Sequence, residues 1–372
     1  MKVFGMNVRP CLPAACLLAV SVAACSATTD DDHDGTGGDG DTDTDTDADT
    51  DADADADADT DADTDTDTDT GTSTGADEIV MDCSNCPGVG GTLQHMACAI
   101  DLCDENVVQS QTYTTPCNFT GCALEDTYEA VAHYGSPSND LAPLLNGSYA
   151  MMASGIATGT NKSTSCASGC NHVDPWDLEF LTNDVVQWRM ILKAPDEALS
   201  FRFKYVFFSV EYEEYVGSVF NDKFYAIIEA GSTNDGNPTV INFTACREPN
   251  VYYDFICGPE DTACDEGEKY CYMSINSSLS ECCWYNGCPQ GTWTTDISGT
   301  GFSCAASQME DSNAFGSSTG WLQTSWPIEG GETFAITFHI HDTSDSSYDS
   351  QVILDAFQFL KDPEQGTVPV EE

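Results

Sequence analysis

The chain has 372 residues, with 63 Asp and Glu against 11 Lys and Arg, a formal charge of −52. That balance excludes a nucleic-acid backbone partner, because releasing phosphate counterions requires a basic stripe. Nineteen cysteines are too many for a reducing cytoplasm, and a body rich in Gly, Ser, Thr and Asn but sparse in Leu argues against a helical architecture.

Residues 1–25 read MKVFGMNVRPCLPAACLLAVSVAAC. Lys2 and Arg9 form a basic start, and 11–24 form an apolar stretch too short to span a bilayer stably, the pattern of a secretory signal. Its end, Val22-Ala23-Ala24-Cys25, resembles the bacterial lipobox, in which the Cys thiol takes a diacylglycerol and becomes the first mature residue. Ser26 follows instead of the Asp that would favour inner-membrane retention, so the outer membrane or cell surface is the expected address.

Residues 26–76 carry 20 Asp and no Lys or Arg, largely as Thr-Asp and Ala-Asp alternation. Without aromatic, Leu, Ile or Val residues this stretch cannot bury a core; it is expected to be disordered and, by self-repulsion, extended. Near full extension it would reach on the order of 100 Å. Asp30, Asp31, Asp32, His33, Asp34 and Gly35 imitate half of a calcium loop, with Asp41 where its bidentate acid would fall. Alternate Asp is inevitable in such a repeat, so this run predicts weak cation screening and not a folded hand.

The body beyond Cys25 contains Cys83, Cys86, Cys98, Cys103, Cys117, Cys122, Cys166, Cys170, Cys246, Cys257, Cys264, Cys271, Cys282, Cys283, Cys288 and Cys304. An even count in an exported chain predicts disulfides, whose pairing spacing alone does not determine. Cys83-Ser84-Asn85-Cys86 has the spacing of a redox pair or zinc knuckle, but a structural role is expected outside the cytoplasm. The stretch 246–304 reads as a Cys-rich insertion with little core of its own.

Strand periodicity dominates elsewhere. Leu199 to Tyr205 alternates apolar with polar residues and runs into Val206-Phe207-Phe208; Phe334, Ile336, Phe338 and Ile340 share one face, with Thr337, His339 and His341 on the other. Stretches 185–192, 224–229, 240–243 and 352–360 add candidates, the last apolar on both sides and so expected to be central. Many short strands between Gly, Ser, Asn and Asp turns predict an all-β, antiparallel, jelly-roll-like β-sandwich.

Ser209-Val210-Glu211-Tyr212-Glu213-Glu214-Tyr215-Val216-Gly217-Ser218-Val219-Phe220-Asn221-Asp222-Lys223-Phe224 resembles the hallmark segment of the choice-of-anchor L domain, with Val210 where the family usually has an acid. Asp345-Ser346-Ser347-Tyr348-Asp349-Ser350-Gln351-Val352-Ile353-Leu354-Asp355-Ala356-Phe357 resembles its closing pattern. Stretches 147–155 and 178–199 look like the family's opening, extending the resemblance over roughly 105–360. The resemblance implies a surface protein whose anchoring device varies between members, and no particular reaction.

Gly316-Ser317-Ser318-Thr319-Gly320 matches a hydrolase elbow but sits in a Ser-rich loop without the strand-turn-helix context that motif needs. His339 and His341 could offer two imidazoles to a metal, although a polar strand face is expected to meet solvent; His172 with Asp174 is weaker. Glu211, Glu214 and Asp222, together with Asp342, Asp345 and Asp349, supply the hard oxygens that calcium takes. Paired acids could instead serve glycoside hydrolysis.

The resulting reading has a lipoprotein signal at 1–24, lipidated Cys25 and acidic linker to 78, a Cys-rich β domain over 79–362 and a polar tail at 363–372. It describes a lipid-anchored surface protein, binding or adhesive, stabilised by Ca2+, whose partners are the membrane and an extracellular glycan or protein. No catalytic constellation stands out, so enzymatic activity is not expected. The alternatives are an extracellular polysaccharide hydrolase and a purely structural envelope protein.

Overall fold

The computed structural model describes residues 78–114, 127–132, 141–157, 172–173, 181–209, 211, 215–216, 218, 220–245, 270–282, 317–344 and 348–370. The signal, Cys25, the acidic linker up to residue 77, Glu214, Asp345, Asp174 and ten of the sixteen body cysteines lie outside them, while Glu78, expected in the linker, lies in a strand.

Alternation builds two layers. In Ser200–Ser209, Phe201, Phe203, Tyr205 and Phe207 enter the main core while Arg202 and Lys204 point to the other face. Phe334, Ile336, Phe338 and Ile340 do the same in Thr333–Thr343. These inward faces have to be covered, and two antiparallel sheets forming a sandwich are the outcome.

The first sheet runs in the order Glu281–Cys282, Ser317–Ser318, Ser200–Ser209, Ser350–Leu360, Tyr149–Ala153, Tyr128–Val131. Leu322–Pro327 also pairs with Ser200–Ser209, and Glu78–Ile79 with Ser350–Leu360. The second runs Phe243–Ala245, Tyr270–Ser274, Lys223–Glu229, Thr333–Thr343, Leu181–Lys193, Val108–Thr114. Phe201 stacks on Phe334 at 5.4 Å and on Phe357 at 5.3 Å, and Phe203 meets Phe338 edge-on at 5.1 Å, so aromatic rings join the layers. Each buried ring contributes about 2–3 kcal/mol, with about 1 kcal/mol more from a well-placed pair.

The strand Ser350–Leu360 is central, as its two-sided apolar run predicts: Val352 and Leu354 face the main core, and Ile353 joins Tyr149, Met151, Val206 and Phe208 in a second cluster. Tyr225, Ile227, Val240 and Tyr272 form a third cluster, on the opposite face of the second sheet from its core residues.

At the N-terminal side Cys83 pairs with Cys103 and Cys86 with Cys98. The closely spaced cysteines therefore bond to distant partners and not to each other. They pin a short helix, Leu93–Ala99, whose Thr92 hydroxyl accepts from the His95 N–H at 3.3 Å and whose Met96, Ala97 and Ala99 are buried.

Several elements depart from the sequence reading. Residues 240–243 fall in two short strands, Thr239–Val240 and Phe243–Ala245. Within the Cys-rich stretch, Tyr270–Ser274 pairs with Lys223–Glu229, puts Met273 into the main core and holds the disulfide-bonded Cys271, so this part is integral to the sandwich. The polar tail contains Gly366–Pro369, a strand on Leu322–Pro327. No helix among the described residues is long and apolar enough to cross a membrane.

Candidate functional site

Where the apolar alternation ends, acids continue it. The inward series Phe334, Ile336, Phe338, Ile340 is followed by Asp342. Across the ladder Ile340 faces Val186 but Asp342 faces Asn183, so Asp184 and Val185 together oppose His341. This is a bulge, and in it Asp184 takes φ of 50°, a left-handed conformation that Asp tolerates better than most residues. Asp222 immediately precedes Lys223–Glu229, and Asp349 immediately precedes Ser350–Leu360. All four aspartates are buried, the most exposed, Asp184, at 3%.

Asp222 is held at both oxygens. The Thr343 N–H donates to Oδ1 at 3.0 Å and the Ser350 hydroxyl to Oδ2 at 2.7 Å, linking the second sheet to the first. The Asp222 N–H donates to Glu211 Oε2 at 3.2 Å, and the Glu211 N–H donates to Ser209 Oγ at 3.2 Å. The hallmark segment thus returns on itself through buried Glu211, and Asp222 is its outlet toward the closing segment. Ser154 completes the join: its N–H donates to the Ser350 carbonyl at 3.0 Å, and its hydroxyl accepts from the Ser350 N–H at 2.9 Å.

Asp342 is different. It is 1% exposed, and neither of its carboxylate oxygens receives a hydrogen bond. Burial above all, then the like charges of Asp222, Asp349 and Asp184, push its carboxyl well above the usual carboxylate range. The Ser154 hydroxyl, which donates to the Ser350 carbonyl at 3.4 Å, is the smallest influence and the one that opposes this. A buried, uncompensated carboxylate is among the costlier arrangements a fold can keep, and it calls for either a proton or a cation. The fully buried Lys223 stands in register with His341, on the strand face opposite Phe224 and the main core.

The structure brings Glu211, Asp222, Asp342 and Asp349 to one end of the sandwich and adds Asp184, which the sequence reading passed over. The strand expected over 185–192 extends back through Asn183 and Asp184 to Leu181. Among the described residues, the one trio of His, Cys, Asp or Glu with ligand atoms mutually within 4.8 Å is Cys83, Cys86 and Cys103, all in disulfides. The aspartates therefore stand wider than a closed coordination shell.

The histidines do not face solvent as expected. His339 is 3% exposed and His341 fully buried, both packed on the ring of Tyr225. His339 Nε2 and His341 Nδ1 are 2.9 Å apart, and Gln187 Nε2 lies 2.9 Å from His339 Nδ1. Their facing nitrogens are occupied with one another, a hydrogen-bonded chain that fixes both rings. His172 pairs in register with Thr182, at the start of the long strand.

The elbow-like run does not form an elbow. Ser317–Ser318 is a strand and not a loop; Ser318 is 1% exposed, in register with Phe208, and its hydroxyl oxygen accepts from the Gly320 N–H at 3.2 Å. A side chain buried in a ladder lacks the exposed, strained turn of a hydrolase elbow.

Residues 193–360 match the family model of the choice-of-anchor L domain. The match takes in both hallmark and closing segments, with Glu211, Asp222, Asp342 and Asp349, whereas Asp184 and the stretch 147–155 precede it. It supports a cell-surface-associated β-sandwich protein. No curated protein and no solved structure matches the chain.

Proposed function

We propose that this protein is a lipoprotein of the outer membrane surface, anchored through Cys25, whose sandwich binds an extracellular glycan or protein in adhesion and is stabilised by calcium. The observation that supports this reading most directly is the polarity of the closing strand. Glu78 and Ile79, the first described residues, pair with Leu360 and Phe359 at one end of Ser350–Leu360. The buried aspartates lie at the other end, where Ser350 bonds Asp222. Eleven strand residues span about 35 Å, so the acid-bearing end faces away from the point where the acidic linker joins the domain.

That far end also carries aromatic rings: Tyr215 meets Phe220 at 5.6 Å and Tyr348 at 6.1 Å, all partly exposed. A stapled domain held on a long acidic linker samples a wide volume, and one contact raises the effective concentration for the next.

The test has two arms. In a host with an outer membrane, the intact chain should fractionate with membranes and its Cys25→Ser variant with the soluble fraction. The soluble variant should then bind a subset of an extracellular glycan and matrix-protein array, and Tyr215→Ala should reduce that binding at least fivefold. Unchanged membrane partitioning removes the lipid anchor, and an array without signal removes the adhesive role.

A further inference from the structure

We propose that Asp342, Asp349 and Asp184 form a site for one calcium ion, with Asp222 and Glu211 as the hydrogen-bonded frame that positions it. This deepens the calcium part of the function proposed above and is independent of its lipid anchor and adhesive partner.

The carrying observation is Asp342, a carboxylate buried to 1% exposure with neither oxygen hydrogen-bonded, facing a group of acids. Acids gathered by chance on an anionic surface remain hydrated and cost little. These do not: all are buried to 3% exposure or less, and Asp342 continues the inward series of its strand past the core residue Ile340. Two come from the second sheet, Asp184 at its bulge and Asp342 at its strand end, and Asp349 leads into the central strand of the first.

The donor chemistry selects the ion. Every candidate ligand is an oxygen, while His339 and His341 alternate with Asp342 onto the other face of Thr333–Thr343. Oxygen-only sets favour hard cations over zinc or copper. The carboxylates stand wider than 4.8 Å as trios, so they have to move inward to meet one ion. Calcium, with six to eight ligands in flexible geometry, accepts such a set, whereas magnesium demands a small, near-ideal octahedron. Binding would draw Asp349 toward Asp184 and Asp342, closing a clasp between the sheets beside the cross-sheet bonds that Asp222 already makes.

The experiment uses the full-length Cys25→Ser chain, melted in chelator, calcium or magnesium at equal ionic strength. Calcium at 100 times its dissociation constant is expected to raise the melting temperature by several degrees, and magnesium by much less. Weak screening along the acidic linker does not stabilise the fold, so the melt reports the domain and not the linker.

In chelator, Asp342→Asn should melt at or above the parent, because it keeps the shape and has no carboxyl to ionise, and should lose the calcium response. Asp184→Asn should lose most of that response, while Asp82→Asn, an acid exposed elsewhere, should keep it. Terbium luminescence, competed by calcium, supplies a readout that does not depend on stability: one competable site in the parent, none in Asp342→Asn. The proposal is overturned if calcium shifts the parent no more than magnesium does, or if Asp342→Asn keeps both the shift and the terbium site. Failure here leaves membrane partitioning and array binding untouched, and failure there leaves these melts unchanged.

Discussion

Asp101 and Asp355 are both hydrogen-bonded by one short segment, Asp355 by Leu144 and Asp101 by Asn146. Ala356 donates to Asp355 Oδ1 at 2.6 Å, and the same N–H eases the charge on Asp101. The Leu144 N–H donates to Asp355 Oδ2 at 2.6 Å, and the Asn146 amide bonds Asp101 Oδ1. Next to them Phe357 N–H donates to the Ile100 carbonyl at 2.9 Å, so the N-terminal staple docks on the bulge of the closing strand through this acid pair.

Burial is the largest cause of both carboxyls being raised, Asp355 up to about 8 and Asp101 up to about 6; the Leu144 N–H opposes the first shift and the charge of Asp101 adds to it. The folded state therefore binds protons that the unfolded chain, with Asp near 3.8, has released. The contribution is complete below about pH 4 and is lost as pH rises through 6 and then 8. Between pH 5 and 9 the stability of the parent should fall by a few kcal/mol from this pair. In Asp355→Asn, which copies the protonated acid, most of that slope should vanish. Urea midpoints at pH 5, 7 and 9 decide it: parallel pH profiles for parent and variant would show that Asp355 does not titrate in this window.

The sandwich was legible because alternation is a local signal. Phe201 to Tyr205 and Phe334 to Ile340 each state which face is inward, and the unbroken run around Ile353 states that both faces are covered. What was hidden depends on partners distant in sequence. His339 and His341 look polar and solvent-facing until Tyr225 and Gln187 are laid over them. Asp184 lies just outside the periodic stretch 185–192, and only the ladder with Thr333–Thr343 shows the bulge there. The acids of the hallmark and closing segments were visible as clusters, but whether they meet is a property of the fold: Asp222 reaching Ser350 joins segments that the sequence holds far apart. Short edge strands such as Gly366–Pro369 carry no periodicity to read.

Disulfide mapping is a second check. Non-reducing digestion should yield Cys83 linked to Cys103 and Cys86 linked to Cys98, with no bridge between Cys83 and Cys86. Replacing Cys86 and Cys98 together by Ala should cost about 3 kcal/mol, the loop-closure value for a ring of this size. A peptide joining Cys83 to Cys86, or recovery of either as a free thiol, would contradict the staple.

Core position and strand position separate cleanly at two neighbours. Phe203 is 1% exposed between Phe338, Phe357 and Tyr205, whereas Leu199 is 46% exposed just before the same strand. Phe203→Ala should destabilise by about 3–5 kcal/mol, and Leu199→Ala by about 0.5 kcal/mol or less. Denaturant midpoints of the two variants give the comparison, and similar losses at both positions would mean that the inward face has been misassigned.

The last prediction concerns how the chain is held where it joins the domain. Arg202 forms an ion pair with Glu78, its Nε donates to Gln358 Oε1 at 3.0 Å, and the Gln358 amide donates to Glu78 Oε2 at 2.8 Å. These residues sit on three adjacent strands, so the triangle laces the two-residue strand Glu78–Ile79 onto the sheet. Two ladder pairs alone are a weak hold for such an edge. The Arg202 and Glu78 side chains keep 19% and 33% exposure, so solvent screens the pair and its worth is about 1 kcal/mol. Arg202→Ala and Glu78→Ala should therefore each lower the melting temperature by only about 2–4 °C. Local fraying should respond far more: protease cleavage around residues 78–81 should accelerate about fivefold in either variant, the population change expected for a loss of about 1 kcal/mol. The double variant should be no worse than the poorer single one, with a coupling of about 0.5–1 kcal/mol. Fully additive losses, or cleavage rates equal to the parent's, would show that the linker is held by the ladder and not by this triangle.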